Sequence, residues 1–466
     1  MSKNSPRYVC QTCGAVTPKW SGRCEACLEW NTIVEETASP AGPGLAATPV
    51  KGAARKLGLV PLAGHAAPPP RVPTGIAELD RVLGGGLVAG SAVLLGGDPG
   101  IGKSTLLLQA AARLATTGRR VLYISGEEAI EQVRMRARRL DLSSAPLSLA
   151  TAINLRDIAA GLEAEPEAAL VVIDSIQTMW LDTLDSAPGS VGQVRACAFE
   201  LIRLAKSRGF ALILVGHVTK DGSIAGPRVL EHMVDAVLQF EGDRGHQFRI
   251  LRATKNRFGA TDEIGVFEMT EQGLAEVANP SALFLAERRG NISGSAVFAG
   301  LEGSRPVLVE VQALLAANPS GSPRRAVVGW DGGRLSMLLA VLETRCGLRL
   351  GQTDVWLNVA GGLRIQEPGA DLAIAAAIAS AAADQPTDPG MVFFGEVGLS
   401  GEVRQVAQAE LRLKEAGKLG FTAACLPRRI ARGNRPLAAP EGVALSETGH
   451  LAELVARFGG AGKRNG

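Results

Sequence analysis

Aromatic side chains are scarce, 4% of 466 residues with only two tyrosines, which excludes a protein built around many base-stacking platforms. A surplus of one charge is also missing. Lys and Arg total 49 against 46 Asp and Glu, a formal net charge of +3. That balance excludes a histone-like polycation, so any affinity for nucleic acid has to come from locally placed cations. No apolar run reaches the roughly 18 residues of a membrane-spanning helix. The most tempting stretch, Leu372–Ala383, is short, Ala-rich and preceded by Asp371, and it reads as a buried helix. The N-terminus lacks the apolar segment of a secretion signal. Cysteine is sparse and unevenly placed: Cys10, Cys13, Cys24 and Cys27 cluster, whereas Cys197, Cys346 and Cys425 are scattered. An odd total with four packed together suits a metal site in a reducing compartment better than a disulfide framework. The expectation is a soluble cytoplasmic chain with no membrane partner.

What is present suffices for several cores. Hydrophobic residues make up 46% and charged residues 20%, and at about 150 residues per domain the length predicts two to four domains. Residues 1–34 hold the clustered cysteines and too little apolar content for a core of their own, so a staple is required. Residues 35–73, rich in Pro, Ala and Gly, read as a linker. In 74–275, short apolar runs (Ala92–Leu95, Val121–Ile124, Leu170–Ile173, Ala211–Val215) alternate with helical segments such as Thr105–Leu114 and Ala196–Lys206. This alternation predicts an α/β fold, a mostly parallel sheet between helices. Residues 276–466 start a separate α+β domain with no nucleotide signature of its own.

Two CxxC pairs, Cys10–Cys13 and Cys24–Cys27, place four thiolates at the corners of a tetrahedron. That is the demand of structural Zn²⁺, and with all four positions filled by sulfur no catalytic coordination site is left. The alternative is a tail of oxidation-prone thiols. Gly97, Asp98, Pro99, Gly100, Ile101, Gly102, Lys103 and Ser104 fit GxxxxGK[ST], after a predicted strand and before a helix that continues with Thr105. Backbone amides of such a loop curl around phosphates. Lys103 then reaches the β- and γ-phosphates of ATP, and Ser104 ligates Mg²⁺. Asp174 closes the strand Leu170–Ile173, where a carboxylate holds that magnesium; a strand-terminal Asp by itself only caps a helix. Glu127 and Glu128 follow the second strand, and a carboxylate there can act as general base toward water, with Glu127 preferred. Their other reading is acids favoured by a helix N-terminus. His217, just past a strand tip, is either a γ-phosphate sensor or a satisfied structural histidine. Lys255 and Arg257 flank Asn256 in Lys255-Asn-Arg-Phe-Gly259. This is a solvated hairpin, or, in a ring, a source of cations for a neighbour's nucleotide.

Taken together, the cysteine pairs, GDPGIGKST (97–105), SGEEA (125–129), VIDSIQT (172–178), SAPGSVGQVR (186–195), GHVTKDG (216–222) and KNRFG (255–259) resemble the bacterial RadA or Sms family of RecA-like DNA repair and recombination ATPases. The resemblance covers nearly the whole chain. It implies a DNA-dependent ATPase that acts on single-stranded and branched DNA with helicase-type branch migration, with the RecA recombinase as partner and a hexameric ring as assembly. The 24 residues between Lys103 and Glu127 match the interval in RecA-like proteins and favour Glu127 as the catalytic carboxylate. Mobile loops near Ser186–Val194 and Thr219–Arg228 are implied to face DNA, with Lys220 and Arg228 on phosphates. Residues 276–466 resemble the proteolytic domain of Lon, but Gly369 (or Ala370) stands near its serine position and Glu410 near its lysine position. Peptide hydrolysis is therefore not supported, and a surface of Arg404, Arg412, Lys414 and Lys418 becomes a candidate for DNA contact. The competing readings are a RecA-like regulatory ATPase acting on protein partners and an ATP-dependent protease.

Overall fold

Strands without polar alternation need cover on both faces, and the chain supplies it with helices on either side of a sheet. The computed structural model describes residues 7–10, 16–17, 19–25, 28–36, 69–216, 229–242, 248–261, 263–285, 288, 290–318, 322–428 and 439–459. Two units divide the chain, Met1–Val277 and Ala278–Gly466.

In the first unit, β1 (Arg7–Cys10), β2 (Val16–Thr17) and β3 (Ile33–Glu36) form a small antiparallel sheet with β1 in the centre. β4 (Arg71–Val72) and β5 (Leu87–Val88) pair on either side of α1 (Ala77–Leu83) in the sequence. The large sheet contains β6 (Ala92–Gly97), β7 (Arg120–Ser125), β8 (Ser148–Thr151), β9 (Ala168–Asp174), β10 (Ala211–Val215), β11 (Ala236–Glu241), β12 (Phe248–Asn256), β13 (Ile264–Thr270) and β14 (Gly273–Glu276). Their spatial order is β14-β13-β12-β11-β6-β10-β9-β7-β8. Pairing is parallel from β11 to β8 and antiparallel from β11 to β14. The connecting helices are α2 (Lys103–Thr116), α3 (Ile130–Arg139), α4 (Leu155–Glu163), α5 (Val191–Arg208) and α6 (Val229–Met233).

Period-two alternation within the strands explains the two cores. Val93 and Leu95 face the cluster that takes in Leu106, Leu107 and Leu114 of α2. Ala92 and Leu94 face the other, with Ile158 of α4 and Leu201 of α5. The helices stop where the sequence says. Asn154 accepts the Arg156 amide at 2.9 Å to start α4, a cap worth about 1 kcal/mol. Gly209, at φ 84°, closes α5 in the left-handed region.

The second unit begins with α7 (Pro280–Phe284), β15 (Ser295–Glu302), β16 (Arg305–Ala317), β17 (Arg325–Val328), α8 (Gly332–Cys346), β18 (Thr353–Val359) and α9 (Asp371–Ala383). It continues with β19 (Met391–Phe393), β20 (Glu396–Val397), β21 (Val403–Arg404), α10 (Ala409–Lys418), β22 (Ala423–Pro427), β23 (Ala444–Thr448) and α11 (Leu451–Ala456). Seven strands form one mixed sheet in the order β17-β18-β16-β15-β19-β22-β23, and β20 pairs with β21. α9 is apolar all round, and Leu372 through Ala379 are buried, as a helix surrounded by core requires. Among the described residues, no helix is long and apolar enough to cross a membrane.

Candidate nucleotide site and metal centre

The glycine-rich loop leaves the C-terminal end of β6 and opens α2. A side chain at Gly97 would place its Cβ 2.6 Å from the Phe240 carbonyl oxygen, so only glycine lets the loop pass β11. Gly102 holds φ at 115° as the N-cap of α2 and offers no side chain to the first helical amides. Those amides stay available to an anion, where the helix dipole also favours negative charge. Lys103 is buried, and its Nζ donates to the carbonyls of Gly97 at 2.7 Å and Asp98 at 2.9 Å. Burial pushes the Lys103 ammonium below the usual lysine range, against the pull of Asp174, Glu127 and Asp98. A cation backed by three carboxylates, beside uncapped amides, is a fitting cradle for a magnesium-bound triphosphate.

Asp174 ends β9 and is buried; the Tyr123 hydroxyl of neighbouring β7 donates to its Oδ2 at 2.5 Å. Burial first, and then the Asp174 charge, holds the Tyr123 phenol well above its ordinary range, so it stays a donor. Gly126 follows β7, and its amide donates to the Asp174 carbonyl at 2.8 Å. A Cβ there would stand 2.7 Å from Met179 Cε and collide with the Thr178 hydroxyl. The glycine therefore brings the next residue, Glu127, against the start of the β9 exit, where its carboxylate accepts the Ser175 hydroxyl. Glu127 is otherwise exposed. Glu128 is differently engaged: its Oε1 accepts from Arg136 at 2.5 Å, and its amide is held by Ser125 Oγ at 2.9 Å. Tyr123, Ser175 and Arg136 escaped the motif-based reading. A lone tyrosine inside the apolar run Val121–Ile124 was the available signal, because a buried hydroxyl needs a partner.

The Lys255–Gly259 turn lies at the other end of the sheet. Asn256 is opposite Ala236, which pairs with Val93 at the start of β6, whereas Gly97 pairs with Phe240. Four residues of strand, about 13 Å, thus separate this turn from the phosphate loop of the same chain. Lys255 Nζ donates to the carbonyls of Glu231 at 2.6 Å and Val234 at 2.8 Å, around the end of α6. Partial burial and then the Arg257 charge lower its pKa. Arg257 has a side chain 56% exposed and, among the described residues, pairs with Asp235 at 3.3 Å. Asp235 is a further residue the sequence reading missed. It accepts the Ala92 amide at 3.0 Å, tying the turn to β6.

In the small N-terminal sheet, Cys10 and Cys24 are fully buried in one cluster with Ile33. Two thiols and one isoleucine are not a self-sufficient apolar core, so the arrangement fits a metal staple. Cys13, Cys27, His217, Lys220 and Arg228 lie outside the described residues. Ser186–Ser190 are described as a connection, but Val191–Val194 form the first turn of α5. Fully buried Gln193 fixes the preceding chain through the Leu181, Leu184 and Ser186 carbonyls.

The second unit corrects one surface residue. Arg412 is buried, not a face toward DNA; it grips both oxygens of Glu367 and donates to the carbonyls of Ala299 at 2.8 Å and Ala407 at 3.0 Å. Its α10 face points into the core because Leu413 and Ala416 are buried beside it. Arg404, Lys414 and Lys418 are exposed. Gly369 is buried, with room for a Cβ only 2.9 Å from Glu367 Oε1. With a glycine and Glu410 at the two positions, no hydroxyl–amine pair exists there to cleave a peptide.

Comparison with known families finds three matches along the chain. Residues 8–35 match a rubredoxin metal binding domain, 67–223 an AAA domain, and 336–430 the subunit ChlI of Mg-chelatase. The ribbon implies Zn²⁺, and the AAA domain ATP with Mg²⁺. The chain is 57% identical to the DNA repair protein RadA of Brucella abortus (strain 2308), with 100% of each chain covered. It is 53% identical to the protein of that name from Rickettsia felis (strain ATCC VR-1525 / URRWXCal2), covering 90% of this chain and 93% of the relative. Against that of Bacillus subtilis (strain 168) it is 48% identical, covering 98% and 99%. The chain belongs to the family of the DNA repair protein RadA and is an ATPase of that family.

Proposed function

We propose that the chain is a DNA-dependent ATPase motor that binds single-stranded DNA and drives branch migration of recombination intermediates. It works as a ring, taken as a hexamer, alongside a RecA recombinase. The observation that carries the assembly is the register of the Lys255–Gly259 turn. It stands about 13 Å of strand away from the phosphate loop of its own chain, which supports a role for the half-exposed Arg257 at a neighbour's nucleotide rather than at its own. An arginine supplied in that way contributes about 10³–10⁵ in rate.

Within one site, Lys103 and the α2 amides bind the phosphates, and Ser104 and Asp174 hold magnesium. The metal, when bound, neutralises developing phosphate charge. Glu127 orients the attacking water and accepts its proton. Tyr123 holds the Asp174 carboxylate in place, and Lys255 positions Arg257 by fixing the end of α6. His217, two residues after β10 in the sequence, serves as the γ-phosphate sensor. The connections after β9 and β10 leave the sheet at the same end as the phosphate loop, which supports a link between nucleotide state and the DNA-contacting segments around Ser186–Val194 and from Thr219 to Arg228, with Lys220 and Arg228 on phosphates. Cys10, Cys13, Cys24 and Cys27 hold zinc in the region 1–34, ahead of a linker (35–73), the ATPase domain (74–275) and a non-proteolytic domain (276–466).

The test is steady-state ATP hydrolysis with and without single-stranded DNA, using Lys103→Ala as the blank. Stimulation that is absent from the blank and weakened by salt is expected, because phosphate contacts release counterions. Turnover indifferent to DNA at low salt would sink the motor and leave a regulatory ATPase acting on proteins.

A further inference from the structure

An arginine lent to a neighbouring subunit is useful only if its own chain holds it still, because a misplacement of about 1 Å can cost about 10²-fold in rate. Arg257 is anchored on one side. Its amide donates to the Asp235 carbonyl at 3.0 Å, and its guanidinium pairs with the Asp235 carboxylate. On the other side, Phe258 and Gly259 lie beyond β12, which ends at Asn256. Phe258 is only half-buried and Gly259 is exposed. The core therefore does little to fix the stretch that follows Arg257.

Residues far earlier in the chain hold it instead. Asn256 Nδ2 donates to the Val82 carbonyl, in the last turn of α1, at 3.2 Å, and its Oδ1 accepts the Phe258 amide at 2.9 Å. α1 ends at Gly84, whose φ of 79° lies in the left-handed region. A Cβ on Gly84 would stand 3.1 Å from Gly259 Cα, and one on Gly259 would stand 3.0 Å from Gly84 Cα, so two glycine backbones pass each other here. Arg71 of β4 closes the seat. Its side chain crosses the glycines after α1, where a Cβ on Gly85 would be 3.1 Å from Arg71 Cδ. Its Nη2 then donates to the Phe258 carbonyl. A planar guanidinium suits this clasp, because it gives up less side-chain freedom per hydrogen bond than a lysine does.

We propose that Arg71 is a positioning residue for the lent arginine: by clasping the Phe258 carbonyl it fixes the turn that carries Arg257, and so it governs hydrolysis in the neighbouring subunit rather than in its own. This rests on the reading that Arg257 serves a neighbour's nucleotide. Arg71→Ala removes an exposed side chain and leaves the backbone pairing of β4 with β5 in place. Its ATP turnover should fall by about 10- to 100-fold, with binding of a fluorescent ATP analogue and thermal unfolding as in the parent. Arg71→Lys keeps the charge and a donor but not the fork, and its turnover should lie between the two. Mixing locates the defect. In equal amounts with Lys103→Ala, either Arg71 variant should rise to about a quarter of the parent rate, because its intact phosphate loops then meet neighbours with a well-held Arg257. Mixed with Arg257→Ala, neither should recover, since every neighbour then lacks a well-held arginine. Parent-level turnover of Arg71→Ala alone would overturn the proposal, as would its recovery with Arg257→Ala. So would a mixture of Arg71→Ala with Lys103→Ala that stays low while Arg257→Ala with Lys103→Ala recovers, because Arg71 would then act within its own subunit. If neither mixture with Lys103→Ala recovers, the shared site itself fails and the role of Arg71 falls with it.

Discussion

Glu127 and Glu128 are neighbours in sequence but not in surroundings, and replacing each by Gln separates chemistry from structure. Glu127 stands exposed beside the phosphate loop, with Ser175 on its carboxylate, and its charge partly opposes the lowering of the Lys103 pKa by burial. Removal of a general base costs about 10²–10⁴ in rate, or about 2.7–5.4 kcal/mol of barrier at 1.36 kcal/mol per decade. Glu127→Gln should therefore bind nucleotide as the parent does, turn it over at least a hundredfold more slowly and melt at nearly the same temperature. Glu128→Gln should behave in the opposite way. Its carboxylate is the partner of Arg136, whose side chain is 19% exposed and whose other terminal nitrogen has no hydrogen-bond partner among the described residues. Weakening that pair should cost about 1–3 kcal/mol of stability and change turnover by no more than about twofold. Phosphate release, binding of a fluorescent ATP analogue and thermal unfolding measure the three quantities. If Glu128→Gln slows hydrolysis more than Glu127→Gln does, the assignment of the base is refuted.

Arg412→Met should destabilise the second unit by about 3–5 kcal/mol, because it strands the Glu367 carboxylate, and should leave DNA affinity unaltered; an unchanged unfolding transition would contradict the buried-pair account. Lys103 gives a pH signature. Burial lowers its folded pKa, so the unfolded chain holds that proton more tightly, and stability should rise with pH from the lowered value up to the ordinary 10.5. Lys103→Met should flatten that part of the curve in thermal melts, and a rise that survives the substitution would assign it to other groups. Cys24→Ala should release zinc, read with a chromogenic chelator, and leave the melting of the ATPase core in place; full zinc retention would exclude Cys24 as a ligand.

Much of this was legible in the chain itself. The strands Ala92–Leu95 and Leu170–Ile173 announced a sheet covered on both faces because they lack polar alternation, and α9 announced its burial in the same way. The phosphate loop was legible because its glycines and lysine are sequential. What stayed hidden depends on pairs far apart in the chain. Tyr123 meets Asp174 only because β7 and β9 are adjacent. Arg412 reads as a surface cation because helix periodicity does not reveal that the half-buried Glu367 lies beside it. The preference between Glu127 and Glu128 rests on an interval in the sequence; that Arg136 engages Glu128 and Ser175 engages Glu127 is visible only in the structure. The separation of Arg257 from its own phosphate loop required strand register, which no motif contains.

The most direct test of a shared catalytic site is a mixing experiment with Arg257→Ala and Lys103→Ala. One variant retains the phosphate loop and the other retains the arginine, and each alone should hydrolyse little ATP. In randomly mixed equal assemblies, about a quarter of sites pair an intact Lys103 with a neighbour's Arg257, so turnover should recover to about that fraction of the parent rate. If the mixture gives only the sum of the two separate rates, or if Arg257→Ala alone is fully active, the arginine does not act across a subunit boundary.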